Sequence, residues 1–351
     1  MVVSIAKEME EGHWKQYGNA DQEPPIIETI YFGGGTPSLL SEQELKLLSE
    51  TLHQTFNIAE QAEITLETNP DDHTAEQLQL WKSLGVNRLS IGVQSFFEQD
   101  LQWMNRAHNA NQSIACINAA REVGFDNLTI DLIYGIPGLT DEQWKKNFDT
   151  AIALGITHLS CYALTVEPKT ALEVSIDKGR LQPVDAEQQA RQFLLLMDWA
   201  KEAGFEHYEI SNFAKLGHRS KHNSAYWQGK PYFGFGPSAH SFDGNKTRWW
   251  NVANNALYQQ AIQQRLPFAE SETLTSVQQL NEYIMTALRT IEGVFMNDER
   301  WGNDESTQKM VLVKAEVWQS QGKLLIQDNV LKLTNEGKLF ADGIAADLFV
   351  E

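Results

Sequence analysis

Polar residues interrupt this sequence at the points where apolar, strand-like runs end. Gly33-Gly34-Gly35-Thr36-Pro37 follows the run 26–32. Its glycines would let a ligand approach the backbone and bond N–H and C=O groups; the plain alternative is a turn. Glu67 stands in Glu67-Thr68-Asn69-Pro70, and Gln94 in Gly92-Val93-Gln94-Ser95-Phe96. Asp131 opens Asp131-Leu132-Ile133-Tyr134-Gly135-Ile136-Pro137-Gly138. An acid or amide among apolar strand residues is costly to bury unless something pairs with it. Each one alone is explained by a structural hydrogen bond, but three at equivalent positions point to a shared polar ligand. Arg106, in Asn105-Arg106-Ala107-His108, could supply a forked donor for a ligand carboxylate, although an arginine near a helix end ordinarily lies on the surface. The inventory describes a ligand with a cation, hydroxyls and a carboxylate. A nucleoside amino acid fits it.

The elements that must hold these residues repeat along the chain. Segments 26–32, 62–68, 86–93, 127–135 and 158–164 read as strands: short, β-branched or aromatic, and bounded by turn residues. Several are apolar almost throughout, as strands buried on both faces are. Amphipathic helices lie between them. Ser41 with Glu44, Thr74 with Gln77 and Thr140 with Gln143 fit the capping box. Behind them run the apolar stripes Leu45, Leu48, Leu52 and Phe56, then Leu78, Trp81 and Leu84, then Trp144, Phe148 and Ile152. Gly85, Gly124, Gly155 and Gly204 each stand where a helix would stop and a strand begin. Such punctuation predicts a parallel sheet with right-handed crossovers, and a full or partial (β/α) barrel rather than an open doubly wound sheet. Barrel function gathers at the C-terminal strand ends, where the polar residues sit.

The rhythm changes after about residue 212. Residues 212–250, rich in Gly, His, Asn and aromatics, read as an ordered loop region. Segments 276–293 and 306–322 read as helices, 323–334 as a hairpin turning at Asp328-Asn329, and 335–349 as a last helix. Helix, helix, hairpin is a winged-helix-like layout. Acidic residues dominate it, so packing is expected rather than DNA binding. The expected division is 1–211 for the barrel, 212–270 for a connecting region and 271–351 for the helical domain.

Composition excludes several roles. A net charge of −19 disfavours nucleic acid and anionic membranes. No apolar run approaches the roughly 20 residues that span a bilayer, and no basic-then-apolar leader opens the chain, so a cytoplasmic protein is expected. Cys116 and Cys161 are too few for a disulfide framework and read as small core residues. Their thiolates alone cannot build a cluster or zinc site.

The ordered set GGGTP, ETNP, GVQSF, NRAH and DLIYGIPG resembles the radical S-adenosylmethionine (SAM) superfamily, over nearly the whole chain. The branch it resembles holds oxygen-independent coproporphyrinogen oxidase and the HemW-type haem chaperones. The resemblance implies a partial (β/α) barrel of radical SAM type and a C-terminal winged-helix-like domain. It implies that Gly34, Gly35 and Thr36 hold the methionine amino end of SAM, that Arg106 meets its carboxylate, and that Glu67, Gln94 and Asp131 meet its ammonium or ribose hydroxyls. One departure stands out. The family carries a [4Fe–4S] cluster on a C-x-x-x-C-x-x-C loop after its first strand, and this chain has no such loop. Residues Met1 to Met9 resemble the helix that follows it. The expectation is that the first βα unit is lacking, through truncation or a start codon set too late, and that the chain as written performs no radical chemistry.

His222-Asn223-Ser224-Ala225-Tyr226-Trp227 matches H-N-x-x-Y-W, which resembles the HemW-type subgroup, where the motif is associated with haem. His222 is then the candidate axial ligand, with Tyr226, His218 and His240 as further candidates. Arg219 and Lys221 offer cations for haem propionates, and Trp227 a flat surface for a porphyrin. The alternative is that these histidines only order the loop. The resemblance implies a haem chaperone that binds haem and SAM and passes haem to an acceptor protein. The rivals are an oxygen-independent coproporphyrinogen III oxidase, which would make the chain an enzyme, and an inactive remnant.

Overall fold

The computed structural model describes residues 1–12, 25–302 and 305–351. Along the chain come α1 (Val2–Glu11), β1 (Ile26–Phe32), α2 (Glu42–Thr55), β2 (Asn57–Thr68), α3 (Ala75–Ser83) and β3 (Arg88–Gln94). There follow α4 (Glu98–Trp103), α5 (Ala110–Glu122), β4 (Asn127–Tyr134), α6 (Asp141–Ala153) and β5 (His158–Ala163). Then come α7 (Ala171–Asp177), α8 (Ala186–Glu202), β6 (Glu206–Glu209), β7 (Asn212–Ala214) and α9 (Lys221–Trp227). The remainder is β8 (His240–Phe242), β9 (Thr247–Asn251), α10 (Asn255–Gln264), β10 (Ala269–Thr273), α11 (Ser276–Leu288), β11 (Val294–Phe295), α12 (Glu305–Ser320), β12 (Leu324–Gln327), β13 (Val330–Leu333), α13 (Asn335–Lys338) and α14 (Ala341–Leu348).

Local chemistry explains these boundaries. The three expected capping boxes open α2, α3 and α6. Two further ones, Asn109 with Gln112 and Thr275 with Gln278, open α5 and α11. Gly85, Gly124, Gly155 and Gly204 all take positive φ, the conformation that ends a helix at little steric cost. The stripes face inward: Leu45, Leu48, Leu52, Phe56, Leu78, Trp81, Trp144 and Phe148 are all buried. Each such side chain contributes about 1.5–3 kcal/mol of transfer free energy.

The main sheet has seven strands in the order β1-β2-β3-β4-β5-β7-β6, the curled sheet of a partial (β/α) barrel. β2, β3, β4 and β5 pair in parallel, as the helix-Gly-strand punctuation predicts. The end of the sheet departs from that expectation. β7 inserts between β5 and β6 and runs antiparallel to both. Only Ile210 and Ser211 join β6 to β7, and so short a link permits an antiparallel pair alone.

Internal contacts divide the chain into two compact units, at places other than residues 211 and 270. One comprises Tyr31–Leu39 and Ile64–Ser220, and contains the strand ends that carry the SAM candidates. Beneath those ends lies a buried polar layer. The Arg88 guanidinium donates to Asn127 (2.9 Å) and to the Thr129 hydroxyl. Thr129 pairs with His158 Nδ1 (3.1 Å), whose Nε2 pairs with the Tyr208 hydroxyl (2.7 Å). Burial, then the charge of Arg88, holds His158 well below the ordinary histidine range, so its imidazole is neutral.

The other unit comprises Met1–Ile30, Leu40–Glu63 and Lys221–Glu351. Residues 212–250 are more structured than a loop region, since they contain β7, α9, β8 and β9. β8, β9 and β10 form an antiparallel sheet of their own. The last part follows the expected helix, helix, hairpin order around its own core of Leu280, Ile284, Leu288, Val311, Leu324 and Ile344. The hairpin turns at Asp328 and Asn329, both at positive φ. Two expected boundaries move. The helix from Ser276 stops at Leu288 rather than at Gly293, and Val294 and Phe295 then extend to pair with β13. The last helix breaks between Lys338 and Ala341. Gly337 packs there against the Lys323 carbonyl so closely that a Cβ would lie 1.8 Å from it. No helix among the described residues is long and apolar enough to cross a membrane.

Candidate functional site

The residues expected to share a ligand do gather. Glu67 is the last residue but one of β2, and its carboxylate accepts the Tyr31 hydroxyl (2.7 Å) on one oxygen and the Gly34 N–H (3.2 Å) on the other. Glu67 therefore fixes the glycine loop. Gly33 must be glycine, since a Cβ would meet the Tyr31 ring at 2.6 Å. At Gly34 and Gly35 the space beyond the backbone is open, with no atom of another part of the chain within 4 Å of a Cβ position. Thr36 is exposed beside them.

Asp131 lies across the sheet on β4, in register with Ser160 of β5. Its carboxyl is pushed up to about 7, first by desolvation and next by the charge of Glu67; Ser160, Arg106 and Arg88 pull it down. Burial and the Glu67 carboxylate likewise raise the Tyr31 phenol far above its usual value.

Gln94 closes β3 at an irregularity in the pairing with β4, at φ 68°. A non-glycine residue held there costs on the order of 1 kcal/mol and clusters at ligand sites. Its amide, Asn69 and Arg106 crowd around Gly92, where a Cβ would lie 3.0, 3.3 and 3.5 Å from their polar atoms. Arg106 donates Nη2–H to Asn69 Oδ1 (3.1 Å). His108 donates from Nε2 to the Val93 carbonyl (3.0 Å) and so braces the turn before Gln94. An open glycine edge, two acids, an amide and a guanidinium thus converge in one unit. Sequence reasoning missed Tyr31, Ser38, Asn69 and Asp72, which hold the candidates in place.

Cys116 and Cys161 are both buried and free. Desolvation pushes the Cys116 thiol up to about 12 and the Cys161 thiol higher still. Among the described residues no group of three or more His, Cys, Asp or Glu is placed to hold a metal. These thiols do not fit a [4Fe–4S] cluster, which takes four thiolate positions or an exogenous ligand in place of one.

The histidine motif lies in the other unit. His222 and Tyr226 share a face of α9, edge to face with ring centroids 5.2 Å apart. His222 Nδ1 pairs with the Thr29 hydroxyl (2.9 Å). The N–H groups of Lys221 and His222 donate to the two oxygens of Glu63 (3.1 and 3.0 Å). From Tyr226 an aromatic run continues to Tyr232 (4.4 Å) and Phe242 (6.3 Å). Burial raises the Tyr226 phenol to about 12, so it stays protonated.

Other expectations around the motif change. Arg289 lies over one face of the Trp227 ring, 5.2 Å from its centroid. Arg219 pairs with Glu206 (2.6 Å), and Lys221 Nζ bonds the Gln61 carbonyl (3.1 Å), so both cations have protein partners. His240 stacks on Trp250 across β8 and β9. His218 sits in the turn Lys215–His218, in the barrel unit.

The partial barrel and its strand-end cluster define a radical SAM domain, and the model of the radical SAM superfamily matches residues 8–151. "Heme chaperone HemW" of Bacillus subtilis is 36% identical over 326 residues, covering 91% of this chain and 85% of that protein. The protein of the same name from Mycobacterium tuberculosis is 33% identical, covering 94% of this chain and 82% of that one. The chain belongs to this HemW family of the radical SAM superfamily. Among solved structures it is similar to coproporphyrinogen III oxidase (HemN) of Escherichia coli, with a TM-score of 0.82 and 21% identity, covering 99% of this chain and 82% of that one. At that identity the likeness speaks for the fold.

Proposed function

We propose that this chain is a cytoplasmic haem chaperone that binds haem at His222 and SAM at the strand-end cluster, and passes haem to an acceptor protein. The observation that supports it most directly is the H-N-x-x-Y-W segment folded as one short helix. There Thr29 holds His222 through Nδ1, so iron would be met through Nε2. A protonated Tyr226 leaves imidazole as the better iron ligand of the pair. The shelf of Tyr226, Tyr232 and Phe242 offers a planar ligand aromatic contact.

For SAM, the open edge at Gly34 and Gly35 would take the methionine backbone and Arg106 its carboxylate, with Glu67, Gln94 and Asp131 meeting ammonium or hydroxyls. Bound beside a reduced cluster, SAM supplies radical chemistry in this superfamily; the two buried thiols carry no such step. Haem titration and transfer to an apo-haemoprotein test the chaperone reading. Saturable binding with transfer supports it. Decarboxylation of coproporphyrinogen III by the chain would select the oxidase instead, and neither result would leave a remnant.

Asp131 gives the SAM site a pH dependence. In the ligand-free protein Asp131 holds a proton below about 7. A cationic ligand that pairs with the carboxylate must expel that proton, so its binding weakens as the pH falls. SAM affinity is expected to drop below pH 7 by up to about tenfold per pH unit. Asp131→Asn has no proton to expel and should lose the slope. An unchanged slope in that variant, read by calorimetry from pH 5.5 to 8, removes Asp131 from the site.

A further inference from the structure

Arg106 does not reach its supports directly. Its Nη2–H goes to Asn69 Oδ1 (3.1 Å), and Asn69 Nδ2 donates in turn to Asp72 Oδ2 (2.6 Å). The same Asp72 oxygen accepts the backbone N–H of Asn69 (3.3 Å) and the hydroxyl of Ser38 (3.0 Å). Ser38 is fully buried and follows directly on the Gly33–Pro37 loop. A chain of hydrogen bonds therefore ties the exit of the glycine loop to the guanidinium.

The order of groups in this chain is informative. A carboxylate only accepts, so the amide of Asn69 must turn its NH₂ to Asp72 and its oxygen to Arg106. The amide orientation is fixed from both ends. A carboxylate at position 69 would lose the bond to Asp72, face a like charge there and neutralise Arg106, and a ligand carboxylate would then compete with an internal ion pair. A neutral amide aims the guanidinium and leaves its charge for the ligand. Gly92 completes the arrangement, since a side chain there would press on the amides of Gln94 and Asn69.

We propose that Asn69, fixed by Asp72 and Ser38, is a positioning residue that presents Arg106 as an un-neutralised cation to the carboxylate of the bound amino acid nucleoside. This rests on the reading of Arg106 as the carboxylate contact. Calorimetry with SAM and with decarboxylated SAM, on wild type, Asn69→Ala, Asn69→Asp and Arg106→Ala, separates the two. Asn69→Asp and Asn69→Ala should each bind SAM about tenfold or more weakly and bind decarboxylated SAM as wild type does, measured at a temperature where both variants are folded. Equal weakening toward both ligands would mean a general structural defect and overturn the proposal, as would wild-type SAM affinity in Asn69→Asp. If Arg106→Ala discriminates between the ligands and the Asn69 variants do not, the positioning role alone falls. If Arg106→Ala treats both ligands alike, or the wild-type chain binds no SAM, the carboxylate assignment fails and takes the proposal with it.

Discussion

Arg106→Ala is expected to lower SAM affinity roughly 30- to 150-fold, the loss of about 2–3 kcal/mol that a charge-assisted hydrogen-bonded contact represents. The side chain is half-buried and makes one side-chain hydrogen bond, to Asn69. Removing it should therefore change the melting temperature little while emptying the carboxylate end of the site. Arg106→Lys keeps the charge but not the planar fork, and should recover only part of the affinity. Calorimetry on the three proteins at one pH and salt concentration decides the matter. Equal SAM binding by wild type and Arg106→Ala would show that the guanidinium touches no ligand. In that case its bond to Asn69 would be no more than a brace between two turns.

Much of the barrel could be read from residues alone because its signals are local. A cap residue, an apolar stripe and a glycine at positive φ each act within a few positions; together they mark α3 and α6 and the strands that follow, while α2 is marked by its cap and stripe alone. The cap at Asn109 was equally legible, with Gln112 three residues on. The insertion of β7 was not, because strand order is decided by which edge is left to pair, and residues 206–214 carry no trace of that choice. The break before Ala341 is similar. The sequence there is helical in pattern, and the close packing of Gly337 on the Lys323 backbone just before the break is a tertiary contact it does not reveal.

The candidate site divides along the same line. Glu67, Gln94 and Asp131 stood out because a polar residue in an apolar strand breaks a pattern. Tyr31 and Asn69 fit their surroundings, a strand aromatic and a turn asparagine, so nothing in the sequence marks them. The pairing of Arg219 with Glu206 and the contact of Arg289 with Trp227 were also hidden, since each joins residues of different elements that no local pattern links.

His222→Ala is expected to weaken haem binding on the order of 100-fold and to shift the Soret band, because it removes the imidazole that would ligate iron. The geometry makes a second, smaller expectation. Thr29 pairs with Nδ1 and so sets the ring's orientation. Groups of this kind typically change metal affinity about 10- to 100-fold when removed, and Thr29→Val should fall at the lower end of that range with a less altered spectrum. Tyr226→Phe keeps the ring against His222 and loses only a phenol that is already protonated, so it should bind haem nearly as wild type does. His240→Ala and His218→Ala serve as controls: one ring stacks on Trp250, and the other lies in the turn at Lys215. Titration of all five variants, followed at the Soret band, gives each affinity and spectrum. Wild-type affinity and spectrum in His222→Ala would show that the histidine only braces its helix against Thr29 and Glu63. If His218→Ala or His240→Ala fails instead, the iron ligand is the residue changed. If all three histidine variants bind as wild type does, haem sits elsewhere on the chain.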